Sequence, residues 1–133
     1  MAEKIQFELV SPARLLVSSP VDMVVVPGSE GDFGALARHA PMITTVRPGV
    51  IVVYDGGKVS SSTFVAGGFA EVNEERIIVL AEEAIPVGEL TADMAKARKK
   101  VAKEALDDAK SDRDKGRAQR LMLIAEAMEE AIH

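Results

Sequence analysis

Residues 84–90 read Ala-Ile-Pro-Val-Gly-Glu-Leu, and Pro86 and Gly88 interrupt any regular element there. The boundary at Ile85–Glu89 separates two kinds of sequence. Upstream, residues 1–88 hold all six prolines, nine of the ten glycines and all five aromatics (Phe7, Phe33, Tyr54, Phe64, Phe69). Downstream, Gly116 is the single residue of these types. Charge divides as well, with 6 Lys/Arg against 11 Asp/Glu upstream and 10 against 10 downstream. A Val-rich half punctuated by Gly and Pro, followed by an Ala/Lys/Glu half, predicts an α+β chain. Its first domain, residues 1–85, is an antiparallel β-sandwich; its second, residues 89–133, is a two-helix antiparallel hairpin.

Working upstream, residues 4–10 alternate polar and apolar, as a half-buried strand requires, and Ser11-Pro12 ends the run. Val21–Val26 is a β-branched run closed by Pro27-Gly28. Val50–Tyr54 and Lys58–Val65 flank Asp55-Gly56, a hairpin turn because Gly tolerates positive φ. Phe69–Val72 and Arg76–Ala81 form a third pair through Asn73-Glu74-Glu75. No helix-length segment lies between these strands, which argues against a wholly parallel sheet.

Working downstream, Thr91 caps a first helix and Asp93 sits near its positive end. Leu90, Met94, Ala97, Val101 and Leu106 fall on one face. Residues 111–116 form a polar break. Leu121, Ala125, Met128 and Ile132 make a second stripe. Both stripes are poor in large side chains, so each helix buries little area and the hairpin is expected to detach easily.

The 133 residues carry a net charge of −5, which argues against nucleic acid as a partner. No apolar run approaches a membrane span, and the start has neither a secretory nor a transit layout. Cysteine is absent, which excludes disulfides and thiolate chemistry. His39 and His133 belong to no ligand cluster, so no metal or cofactor is expected. Gly57-Lys58 fails as a P-loop, because Val52 stands where the first glycine belongs and Val59 where the hydroxyl residue belongs. The Gly28, Gly31, Gly34 spacing is not a dinucleotide fingerprint. Glu82-Glu83 reads as a solvated strand edge rather than an acid–base pair. Arg98, Lys99, Lys100 and Lys103 make either a wet helix face or a dock for an acidic surface.

From the residues alone, the chain is a noncatalytic β domain with a loosely packed helical tail. The block at residues 27–41, Pro-Gly-Ser-Glu-Gly-Asp-Phe-Gly-Ala-Leu-Ala-Arg-His-Ala-Pro, adds more. Together with residues 44–49, 67–72 and 79–84, it resembles the epsilon subunit of bacterial and chloroplast F-type ATP synthases, in order and spacing. The resemblance implies a ten-stranded sandwich and a two-helix C-terminal domain. It also implies a noncatalytic place in the rotor's central stalk, between the gamma subunit and the ring of c subunits. The complex then lies on the cytoplasmic face of a bacterial inner membrane, touching the membrane only through its other subunits.

The resemblance further implies that Glu30 and Asp32, exposed on a glycine-rich loop, contact the c ring, and that His39 lines the stalk interface. The hairpin is expected to extend toward the alpha and beta subunits and oppose hydrolysis, with Arg98, Lys99, Lys100 and Lys103 facing an acidic segment of beta. An alternative is an ATP-sensing subunit whose folded hairpin binds nucleotide. Its candidate residues are Asp93, Lys96 and Ala97, but Lys96 replaces the family's arginine, which points to weak or absent binding. A third reading is an unrelated sandwich adaptor.

Overall fold

The computed structural model describes residues 3–132, and the chain divides into two compact units between Pro86 and Val87. The first unit holds ten strands: β1 (Ile5–Ser11), β2 (Arg14–Val21), β3 (Met23–Gly28), β4 (Gly31–Ala35), β5 (Met42–Val46), β6 (Gly49–Asp55), β7 (Lys58–Val65), β8 (Gly68–Val72), β9 (Arg76–Ala81) and β10 (Ala84–Pro86). They form one curled sheet in the order β10-β7-β6-β3-β5-β8-β9-β1-β2, with β4 paired to β3. Folded on itself, this sheet is the expected sandwich.

Alternation decides which side chains fill it. Ile5, Phe7 and Leu9 of β1, Ala70 and Val72 of β8, and Ile77, Val79 and Ala81 of β9 point inward and are buried. They meet Val24, Val26, Ile51, Val53 and Val65 from the other half of the sheet. Each fully buried Val, Ile, Leu or Phe contributes about 1.5–3 kcal/mol relative to exposure, so this core carries the unit. Turns follow from residue chemistry. Gly56 and Gly57 have φ of +66° and +78°, the two positive values a type I′ hairpin needs. Asn73 Oδ1 accepts from the Glu75 and Arg76 amides, both at 2.9 Å, and turns β8 into β9.

Several expectations change. Pro27-Gly28 continues β3 instead of closing it, because Gly28 pairs with both Gly31 and Val46. Asp32 lies on β4, opposite Pro27, and not on a loop. β1 pairs antiparallel with β2 but parallel with β9, so the sheet has one parallel seam. Glu82-Glu83 is a bend between β9 and β10 whose backbone bonds to Gly67 and Ala66, so it is not a strand edge.

The second unit begins with a 3-10 turn, Val87–Glu89, followed by α1 (Ala92–Asp108) and α2 (Asp112–Ile132). Thr91 caps α1 as expected: its Oγ1 accepts from the Met94 amide at 3.2 Å. Ser111 caps α2 in the same way, accepting from Asp114 at 3.1 Å. The polar break is therefore only residues 109–111, and Gly116 lies inside α2. On α1 the buried face is also rotated from the expected one, while on α2 Ala125 and Met128 are buried as expected. Ala95 and Ala102 of α1 pack with Ala118, Ile124, Ala125 and Met128 of α2, while Val101 and Ala97 face solvent. Alanines seven apart on each helix let the two backbones approach closely. No helix is long and apolar enough to cross a membrane among the described residues.

Candidate functional site

The turn joining β3 to β4 presents Ser29 and Glu30 at its tip, both exposed. Gly28 and Gly31 set it: a Cβ on Gly28 would stand 2.8 Å from the Gly31 carbonyl oxygen, and Gly31 has φ of +133°. Asp32 leaves the turn along β4, and Arg47 Nη2 donates to its Oδ1 at 2.5 Å. Glu30 and Asp32 thus share a turn but differ in partnership. His39 lies half-buried beyond β4, its ring 6.3 Å from that of Phe33. Its Nδ1 donates to the Ala40 carbonyl at 2.7 Å, which fixes the ring. His133 lies outside the described residues.

Arg38, beside His39, adopts φ of +70°, a left-handed conformation costly for a residue with a Cβ. Both ends of its guanidinium grip Glu3, at 2.8 and 2.6 Å, and its amide donates to Glu74 at 2.7 Å. The hydrogen bond from Arg38, and then its charge, hold the Glu3 carboxyl below its ordinary pKa. Lys4 is raised, chiefly by its hydrogen bond to Asp55.

The sheet also carries an exposed apolar face. On the outward side of β5, β8, β9 and β1–β2, cross-strand register aligns Phe69, Leu80, Val10 and Leu15 in one row, with Ile43 and Ile78 in the next. Ile43 is 75% exposed, Phe69 57%, Leu15 56% and Leu80 54%. A shallow groove of about 350 Å³ runs between Pro12, Phe69 and Leu80. Residue-type reasoning did not single out this face. The signal is β9 itself: Ile77-Ile78-Val79-Leu80 is continuously apolar, where a strand with one wet face would alternate.

On the hairpin, the basic run is split. Lys99 Nζ bonds Glu129 Oε1 at 2.9 Å, across to α2, and Arg98 is half-buried and engaged. Lys100 and Lys103 are exposed, on the same face as Lys96. Asp93, Lys96 and Ala97 are exposed at the start of α1. Arg117 instead lines a cleft of about 210 Å³ with Ala105, Asp108 and Asp114 at the closed end of the hairpin. Twelve residues of helix, about 18 Å, separate Asp93 from Ala105, so the arginine and the candidate nucleotide residues are not gathered. Among the described residues, no group of three or more His, Cys, Asp or Glu is placed to hold a metal.

A curled sandwich with an apolar outer face, followed by a small-residue helical hairpin, defines a binding module built to sit in an assembly. Residues 4–87 match the model of the ATP synthase Delta/Epsilon chain, beta-sandwich domain. The chain is 86% identical, over 99% of both chains, to the ATP synthase epsilon chain of Paramagnetospirillum magneticum (strain ATCC 700264 / AMB-1). It is 56% identical to the ATP synthase epsilon chain of Rhodospirillum rubrum, over 96% of each. A chain of the Euglena gracilis mitochondrial ATP synthase OSCP/F1/c-ring structure in rotational state 1 superposes with a TM-score of 0.82 at 25% identity, covering 100% of this chain and 84% of that one. A chain of the Tetrahymena thermophila central stalk/c-ring structure shares the fold, with a TM-score of 0.77 at 12% identity. This chain belongs to the ATP synthase delta/epsilon family and is of the epsilon type. Epsilon chains are noncatalytic subunits of the synthase, peripheral to the membrane.

Proposed function

We propose that this chain couples the gamma subunit to the c-subunit ring in the rotor of a bacterial ATP synthase, on the cytoplasmic face of the inner membrane. The observation that carries it is the apolar row Phe69, Leu80, Val10 and Leu15, which a free subunit would leave in water. In this reading gamma covers the row, and the β3–β4 turn with Glu30 and Asp32 meets the ring. His39, its ring already fixed, lies at the stalk interface. The residue 1–85 domain therefore docks, and the residue 89–133 domain regulates. The hairpin opposes hydrolysis against alpha and beta through Arg98, Lys100 and Lys103, with Lys99 freed from Glu129 only when α1 and α2 part.

The test uses the assembled enzyme. Phe69→Glu with Leu80→Glu should abolish co-purification with gamma while the isolated chain still melts cooperatively. Deleting residues 89–133 should raise ATP hydrolysis and spare synthesis. Retention of the double variant on gamma, or unchanged hydrolysis after the deletion, removes the corresponding half of the reading.

A further inference from the structure

We propose that the Glu3–Arg38 pair is a clasp that sets the 36–41 loop, and that Arg38 is a positioning residue for the gamma-facing rim this loop forms. That the rim faces gamma rests on placing His39 at the stalk interface; the clasp itself does not. Arg38 is the one non-glycine residue with positive φ among the described residues. Left-handed backbone favours glycine, so the main chain at this position argues against any side chain. The side chain is nonetheless long and fully engaged. Its Nε donates to Glu3 Oε2 at 2.8 Å and its Nη2 to Glu3 Oε1 at 2.6 Å, the paired geometry a planar fork makes with a carboxylate. The two side chains are 75% and 57% exposed, so their attraction adds little to stability. A strained residue whose side chain returns little stability marks a place where geometry is what is held.

What is held is a junction of three segments. Glu3 precedes β1, Arg38 lies in the connection from β4 to β5, and the Arg38 amide donates to the Glu74 carbonyl of the β8–β9 turn at 2.7 Å. The Gln6 amide donates to the Glu75 carbonyl of the same turn at 2.9 Å, which closes the triangle on β1. His39 inherits this frame, because its own amide donates to the Leu36 carbonyl at 3.2 Å. The connection then runs into β5, where Ile43 belongs to the apolar outer face. The loop is thus a rim continuous with the surface read as the gamma dock. A rim already held needs no ordering when a partner arrives, whereas a loose one must be ordered at that moment and affinity falls. Lys4, the next residue along, reaches Asp22 and Asp55 instead, so the N-terminal segment has a second tether that does not touch the loop.

The variants are Arg38→Gly, Glu3→Gln and Lys4→Gln, each in the full chain, with Phe69→Glu/Leu80→Glu as the reference for docking. In the free chain, amide protection at positions 38 and 39 should fall severalfold in Arg38→Gly and Glu3→Gln and stay unchanged in Lys4→Gln. The thermal midpoint of Arg38→Gly should not drop, since glycine suits the backbone there. The dissociation constant for gamma should nevertheless rise roughly fivefold in Arg38→Gly and in Glu3→Gln, the ordering cost of about one freed side chain. A merely structural pair would move midpoint and affinity together. Full protection in Arg38→Gly and Glu3→Gln overturns the clasp. Equal loosening by Lys4→Gln also overturns it, because the segment as a whole and not this pair then holds the loop. Protection lost at unchanged gamma affinity, while the reference variant no longer binds, leaves the docking reading intact and overturns the positioning role of Arg38. If the reference variant still binds gamma, the docking reading fails, and the protection measurements alone decide the clasp.

Discussion

Gly68 stands where β5, β8 and β9 meet, paired with Val46 on one side and Ala81 on the other. Its φ is +149°, and a Cβ there would lie 2.0 Å from the Leu80 carbonyl oxygen. Backbone cannot yield as a flexible side chain would, so Gly68→Ala should cost about 3 kcal/mol or more, read as a lowered thermal midpoint. Glu3 makes a pH prediction. Its folded pKa is depressed by Arg38, so the pair contributes stability above the ordinary carboxylate value of 4.5, lost as pH falls through the lowered folded value. The pair is fully exposed, so the effect is small. Arg38→Gly should therefore flatten the acid limb of a melting-midpoint profile, and it relieves the left-handed backbone at neutral pH. An unchanged acid limb would show that the pair carries no stability. At this scale the turn glycines and the Thr91 cap were legible, because each acts within a few residues. The Arg47–Asp32 contact was not, because it joins residues fifteen apart through the sheet.

The sandwich elements were legible in the β-branched runs of β3, β6 and β9, whereas β5 was not read although four of its five residues are β-branched. β2 was missed because Arg14-Leu-Leu-Val-Ser-Ser-Pro-Val21 contains serines and a proline, acceptable only on an edge strand. β4 was missed because glycines usually mark turns, and here they sit within a strand pairing. The helices and their order were legible, and so was part of α2's inner face, since Ala125 and Met128 are buried as expected; α1's facing side was not. Reasoning from large apolar residues selected Val101 and Leu121, whereas close approach selects alanine. Ala102 and Ala125 are fully buried. Ala102→Leu should then force the helices apart, an overpacking cost of about 1–3 kcal/mol. Hydrogen exchange in the full chain should show faster amides throughout α1 and α2 and unchanged amides in β1 and β9. Unchanged helix protection would mean that the seam has room to spare.

For the whole molecule, membership of the epsilon family was legible from the glycine-rich block and its companions, which the matched relatives bear out. How each surface meets its partner was not, because a docking face is written in outward-facing residues that composition averages away. The core lies within the first unit, so residues 1–86 should melt cooperatively and still bind gamma; a molten fragment would show that the helices complete it. Asp93, Lys96 and Arg117 are spread along the hairpin rather than converging on one cleft. Calorimetry of the isolated chain with ATP should accordingly give a dissociation constant of about 1 mM or weaker, near −4 kcal/mol. Micromolar affinity would instead establish the nucleotide-sensing alternative.

The parallel seam between β1 and β9 has a consequence for biosynthesis. Gln6 must wait for Arg76, its partner in that seam, before the first strand has a neighbour on its β9 side. At about 5–20 residues per second, the ribosome takes roughly 4–14 s to supply it. Throughout that interval Ile5, Phe7 and Leu9 lack their β9 neighbours Ile77 and Val79, although the inward valines of β3 and β6 are already made. Until β9 emerges, the β1 edge of the newborn chain is therefore the part of the core left open longest.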